Sequence, residues 1–337
     1  MTSAAPVRLG LIGAGTFARK AHVPSLLDLP THFEIVAVCS RTRESAEAVA
    51  ALLPYPVEIY TDAAALLARP DIDAVDIVLP IPALPDAIRQ ALAAGKHVIS
   101  EKPIAPTCTE AEALIDFHRY YANQVWMVAE NWRYEDAFLA AGEAIQRGDI
   151  GRPLLCGWSL VLPVMPGAPG HRTLWRRTGD FPGGFLIDGG VHHAAGLRAV
   201  LGEIEAVSAL TTAHRPDLPP ADTMIAAIQF ANGATGSYSV TYAARSGLAD
   251  AALHVVGSEG SLRVTAETLT VWRVEGEQTV QTFPLHRSVE RELAAFADAI
   301  RDGVPHRNSP QEALRDLAVI EAMLRAAEMG MRQKIMG

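Results

Sequence analysis

At 337 residues, with 49% hydrophobic and 20% charged side chains, the chain is long enough for two cores, and its composition excludes a disordered or fibrous protein. Lys plus Arg number 29 against 38 Asp plus Glu, a formal charge of −9 that argues against nucleic acid as a general partner; the one arginine-rich stretch, 171–177, is too short for a basic stripe. Three widely spaced cysteines without metal spacing, no uncharged run long enough for a bilayer and no basic-then-apolar leader lead us to expect a soluble, cytoplasmic protein with neither metal nor membrane partner.

The apolar run Val7, Leu9, Leu11 and Ile12 predicts a strand buried in a parallel sheet. It leads into Gly13, Gly15 and Ala18, spaced G-x-G-x-x-A, with Thr16 and Phe17 between them and helix-forming sequence beyond. In such a turn the first glycine permits the sharp exit from the strand and the second lets backbone approach a pyrophosphate. The small third residue lets the helix pack close, and its N-terminus offers free N–H groups to phosphate. Glycine-rich strand–helix turns also occur without a ligand; the position after a strand and before a helix favours nucleotide binding.

Further strands are predicted over 33–39, 57–60, 74–79, 97–100 and 125–129. Helices are predicted over 44–53, after a cap at Asp62, over 82–94 closing at Gly95, and from a cap at Thr109 to 121. This alternation with short connections implies an α/β fold with an N-terminal, doubly wound parallel sheet, a Rossmann domain over 1–130. From residue 131 the rhythm changes: a helix over 135–146, then strands over 153–162, 204–212, 222–230, 234–242, 251–256, 261–265 and 268–274. A helix opened by Asp188 runs to 201, and two more, 288–302 and 310–329, close the chain. We expect a second α/β domain, 131–337, with a large open antiparallel sheet, its last helices able to pack back on the first domain. A sheet of that size needs cover, so a homodimer or homotetramer through it is expected.

At the end of the second strand a dinucleotide fold places an acid against the adenosine ribose when the cofactor is NAD(H). Here Ser40, Arg41 and Arg43 come first and no carboxylate appears before Glu44, a set suited to a 2′-phosphate. NADP(H) is therefore expected ahead of NAD(H), although two solvated surface arginines would read the same way. Pro80, just after the fourth strand, joins the expected cofactor set.

Lys102 follows the fifth strand at the carboxyl edge where such sheets bind ligands, and Pro103 biases it towards an extended conformation. By position alone a surface lysine is the commoner outcome. Asp188 and His192, four apart, share one helix face, and an imidazole so placed can transfer protons near neutrality. His193 lies a further 100° round. A capping Asp188 and a structural His192 are the plainer alternative. The loop over 163–184, rich in Pro and Gly yet holding His171, Arg172, Trp175, Arg176 and Arg177, suggests a lid, and Trp132 and Arg133 are further candidates for the pocket. Together they suit a polyhydroxylated or anionic small molecule.

The runs GLIGAGTFA, AGKHVISEKP and DGGVHH, in this order and spacing, closely resemble the Gfo/Idh/MocA oxidoreductases, and the resemblance spans nearly the whole chain. It implies a Rossmann domain followed by an α/β domain whose open sheet serves dimer or tetramer contacts. Glu101 and Lys102 then stand beside the cofactor, Lys102 next to nicotinamide and substrate. Asp188 and His192 match the acid/base pair, and Trp175 with Arg176 matches a Trp-Arg pair approaching NADP. Ser40 and Arg41 also match NADP-using members. Two positions depart from the family pattern: Ala195 replaces the Asp of H-x-x-D, and Pro85 stands where a His is common. The implied reaction is reversible hydride transfer between nicotinamide C4 and a carbinol or carbonyl carbon of a sugar, cyclitol or related polyol. His192 would exchange the hydroxyl proton, Asp188 orient it and Lys102 bind the same oxygen, with the lysine and histidine roles open to exchange. A non-catalytic dinucleotide sensor and a reductase of dihydrodiol or tetrapyrrole type are the alternatives.

Overall fold

The first apolar run forms β1 (Val7–Ile12), and the computed structural model, which describes residues 5–335 except 169, 170, 172, 174, 175, 179, 180, 249, 275 and 286, places it inside a six-stranded sheet. Its companions are β2 (Phe33–Cys39), β3 (Glu58–Tyr60), β4 (Ala74–Ile77), β5 (His97–Glu101) and β6 (Trp126–Ala129). The order is β3-β2-β1-β4-β5-β6 and every pairing is parallel. All residues of β4 and β6 are buried, as expected of strands covered on both faces. Strand order reverses at β1, which opens a crevice outside the carboxyl ends of β1 and β4.

Between the strands lie a π-helical turn (Ala18–His22) running into α1 (Val23–Leu27), then α2 (Arg43–Ala50), α3 (Ala63–Leu67), α4 (Leu84–Ala93) and α5 (Cys108–His118). Thr42 and Asp62 cap α2 and α3 by accepting the Ser45 and Ala64 N–H groups. For α5 the cap is Thr107 rather than Thr109: Thr107 Oγ1 accepts the Glu110 N–H, the geometry that a T-x-x-E box favours.

A second sheet has nine strands: β7 (Pro153–Val161), β8 (Ile204–Thr212), β9 (Thr223–Phe230), β10 (Thr235–Thr241), β11 (Leu253–Gly257), β12 (Gly260–Val264), β13 (Thr268–Arg273), β14 (Gln278–Thr282) and β15 (Gln333–Lys334). Their order is β14-β13-β12-β11-β7-β10-β9-β8-β15. All pairings are antiparallel except β7 with β10, so the sheet is mixed. The helices α6 (Asp136–Gln146) and α7 (Gly184–Leu201) pack on each other in this part of the chain. α7 starts four residues before Asp188, which therefore lies inside the helix and does not open it. Gly183 and Gly184 make that start, with φ of 68° and 50°, and a Cβ on Gly184 would come 2.3 Å from the Pro219 carbonyl oxygen.

Two compact units result: Met1–Asn131 with Arg287–Leu314, and Trp132–His286 with Arg315–Gly337. The first therefore includes α8 (Ser288–Asp302), whose Phe296 stacks on Phe33 at 6.4 Å, and whose Arg301 donates to the carbonyls of Ala5, Thr31 and His32. A last helix, α9 (Pro310–Met329), begins in the first unit and continues in the second. No described helix is long and apolar enough to cross a membrane.

Candidate active site

In the first unit, Gly13 sits at φ 114°, and a Cβ there would fall 2.1 Å from the Val78 carbonyl oxygen, so only glycine fits. A Cβ on Gly15 would meet nothing within 4 Å: the space before this turn is open. Thr16 and Phe17 start the helix and are exposed, while Ala18 is fully buried against the sheet. Open space before a glycine, a helix N-terminus behind it and a buried small residue beyond fit a dinucleotide pyrophosphate. At the end of β2, Ser40 is half-buried and Arg41 and Arg43 are exposed. Arg43 pairs with Glu47 one helical turn on, at 3.0 Å. Pro80 is exposed beyond β4.

Lys102 is half-buried immediately after β5, and its backbone N–H donates to Oε2 of Glu101 at 3.2 Å. The other oxygen of that carboxylate lies 2.8 Å from Nε2 of His22, whose Nδ1 is 2.7 Å from Oδ2 of Asp76. His22 is wholly buried. Burial alone would lower its pKa, but the Asp76 and Glu101 carboxylates outweigh that and raise it well above the usual histidine value. Nearby, Asn308 Nδ2 donates to Glu292 Oε2 and to the Glu130 carbonyl, and burial pushes the Glu292 carboxyl well up. None of these four acidic and imidazole groups except Glu101 was singled out in the sequence.

In the second unit, Asp188 and His192 occupy successive turns of α7; Asp188 is buried and His192 half-buried. Arg176 donates through Nε to Oδ2 of Asp188 at 2.8 Å, with Nη2 at the same distance, and through Nη1 to Thr173. Its guanidinium also lies 5.8 Å from the Phe185 ring. The sequence put Arg176 against the cofactor; its contacts among the described residues tie it to Asp188. Trp175 and Arg172, two further candidates on this loop, lie outside the described residues. Trp132 stacks over His192, centroids 6.1 Å apart and planes 23° from parallel. Gly196 leaves room for that indole, since a Cβ there would be 3.1 Å from Trp132.

The remaining candidates are engaged elsewhere. His193 is buried, 2.6 Å from the Tyr238 hydroxyl and edge-on to Trp132 and Trp158. Arg133 and Arg198 both pair with the buried carboxylate of Asp316, and Arg198 also grips Glu203. His171 accepts the Gly167 N–H at Nδ1 and so donates from Nε2 to Asp217, which Arg215 also holds, keeping that carboxyl far below its usual range. Tyr242 was missed: its buried hydroxyl has no hydrogen-bond partner among the described residues and lies against Gly189, where a Cβ would come within 2.0 Å. Ala195 and Pro85 are both buried.

Residues 7–129 match the oxidoreductase family's NAD-binding Rossmann fold, and residues 142–335 match the C-terminal alpha/beta domain of the same family. The chain belongs to the Gfo/Idh/MocA oxidoreductases. As a member of this family it carries an NAD-binding Rossmann domain. It is similar to the dehydrogenase FPY6 of Fusarium mangiferae, 32% identical across 95% of this chain and 96% of that one. It is also similar to the D-apiose dehydrogenase of Paraburkholderia graminis, 28% identical across 95% and 87%. Among solved structures, an oxidoreductase from Thermotoga maritima superposes with a TM-score of 0.91 at 33% identity, covering 98% of both chains. A levoglucosan dehydrogenase in complex with NADH and L-sorbose gives 0.87 at 25%, covering 99% and 100%.

Proposed function

We propose that this chain is a dehydrogenase or reductase that uses NADP(H) in preference to NAD(H) and acts on a carbinol or carbonyl carbon of a sugar, cyclitol or related small polyol. When bound, the nicotinamide supplies the hydride chemistry at C4. The Gly13–Ala18 turn would hold the pyrophosphate, and Ser40 with Arg41 the 2′-phosphate. The names of the relatives, a D-apiose dehydrogenase and a levoglucosan dehydrogenase, support a sugar-like substrate.

The observation that carries the assignment of roles is the Arg176–Asp188 pair. A carboxylate already committed to a guanidinium is suited to orienting a neighbour rather than exchanging the proton itself. His192, on the same helix face, half-buried under Trp132, takes the hydroxyl proton during oxidation and returns it during reduction. Lys102 donates a hydrogen bond to the reacting oxygen and stabilises the negative charge that develops there. Quenching of the five tryptophans by NADPH and NADH tests the cofactor half of this reading. Tighter NADPH binding is expected, reduced in Arg41→Ala; equal binding of both would overturn the preference. Lys102→Met should cost at least about a hundredfold in turnover with NADPH affinity retained, and surviving turnover would remove the lysine from the mechanism.

The second-sheet face opposite α6 and α7 supports a homo-oligomer. Along the register, Leu210, Ile225, Ser239 and Ser159 form one row, and Leu155, Val256, Ser261 and Trp272 another. Leu210 and Ile225 are 68% and 53% exposed, so an apolar and hydroxyl-bearing surface faces outward, suited to a second copy of this chain.

A further inference from the structure

We propose that His22 is a positioning residue for Lys102: as an imidazolium clamped between Asp76 and Glu101, it fixes the carboxylate that receives the Lys102 backbone N–H. The inference rests on the assignment of Lys102 as the oxygen-binding lysine, and it starts from geometry. Each ring nitrogen of His22 faces a carboxylate oxygen, Nδ1 at 2.7 Å from Asp76 and Nε2 at 2.8 Å from Glu101. Ionised carboxylates only accept hydrogen bonds, so both contacts are satisfied together when both ring nitrogens carry protons. The His22 and Asp76 side chains are fully buried and that of Glu101 is nearly so, so water cannot take the place of either partner. The direction of the His22 pKa agrees.

The clamp joins three elements. His22 ends the π-helical turn that follows the glycine motif, Asp76 belongs to β4, and Glu101 ends β5. Glu101 divides its oxygens, Oε1 to His22 and Oε2 to the Lys102 N–H, so the carboxylate can turn only if the imidazolium lets go. Phe17 closes the ring's remaining side edge-on, 5.3 Å between centroids. From α8, Glu292 faces the same charges, and its neutral form adds no further negative charge to the cluster. The lysine backbone is thereby tied to the segment that would carry the cofactor phosphates, and a displacement of that helix is transmitted to the lysine through two hydrogen bonds. Displacements of this kind matter because a catalytic group misplaced by about 1 Å can cost about a hundredfold in rate.

The first test needs no substrate. With ¹⁵N-labelled histidine in the full-length protein, the His22 signals are those lost in His22→Gln. Both ring nitrogens are expected to stay protonated from about pH 6 to about pH 8, whereas a midpoint near the ordinary value of about 6.5 would overturn the clamp. With [ε-¹³C]lysine the chain gives only four signals, from Lys20, Lys96, Lys102 and Lys334. In His22→Gln the Lys102 signal, assigned through Lys102→Arg, is expected to shift while Lys96 and Lys334 hold still; an unmoved Lys102 signal in the folded variant refutes the positioning role. Glu101→Gln breaks the same link and carries the same expectation should His22→Gln fail to fold. With a substrate in hand, kcat of His22→Gln should fall about tenfold while KM for NADPH is unchanged. Should wild type turn over no polyol while both spectra behave as expected, the proposed activity fails and the clamp stands.

Discussion

Gly189 and Tyr242 test how tightly α7 is built around Asp188. Adding a methyl at Gly189 forces an atom within 2.0 Å of the Tyr242 hydroxyl, so Gly189→Ala should lower stability by about 1–3 kcal/mol in chemical denaturation. Because that hydroxyl is buried without a hydrogen-bond partner among the described residues, Tyr242→Phe alone should be close to neutral. Combined, the two changes should recover most of the loss; strict additivity would mean the hydroxyl is not the obstacle. At this scale the sequence told most where chemistry is local. Gly13 was readable from the turn it must make, and Asp188 with His192 from helical spacing. His22 was not, because its partners lie 54 and 79 residues away and a buried imidazole has no local signature. Arg176 stood out as a loop arginine, but spacing alone could not indicate that its partner is Asp188, 12 residues on.

Among the elements, α8 carries a titration that the whole fold feels. Burial pushes the Glu292 carboxyl up, Glu101, Glu130 and Asp76 push it further, and His22 opposes them. The folded chain therefore holds a proton that the unfolded chain releases above about pH 4.3. Since the native state binds more protons, stability falls as pH rises above that value, by up to about 1.4 kcal/mol per unit, until the folded-state pKa is passed. Glu292→Gln, which keeps an acceptor for Asn308, should flatten that slope and gain on wild type between about pH 5 and pH 8 in urea melts at stepped pH. Parallel slopes would show that Glu292 is ionised in the fold. Elements themselves were legible in proportion to their apolar pattern. Apart from the short β3, the strands of the first sheet announce themselves as buried runs, whereas the edge strand β14, Gln-Thr-Val-Gln-Thr, is mostly exposed and has no such run to read. The start of α7 was misplaced because Gly183 and Gly184 read as loop, although their left-handed φ is what launches the helix.

For the whole molecule, the exposed rows of the second sheet predict assembly. Ile225→Lys with Leu210→Lys places charge on the apolar end of one row, and sedimentation should then report a single-chain mass where wild type reports a multiple; an unchanged mass would move the interface elsewhere. Two sheets and the six strands of the first were readable in advance, but the second has nine strands where seven were expected, its edge strands β14 and β15 being unread. Nor was the parallel pairing of β7 with β10 foreseen. Their pairing is long-range, and no local pattern records which strand a chain will return to. A last consequence concerns inheritance. Because Arg287–Leu314 complete the first unit, a fragment ending at Asn131 would lack Phe296 on Phe33, Arg301 on three carbonyls and Asn308 on Glu130. A single recombination crossover therefore cannot deliver this nucleotide-binding unit whole to another gene.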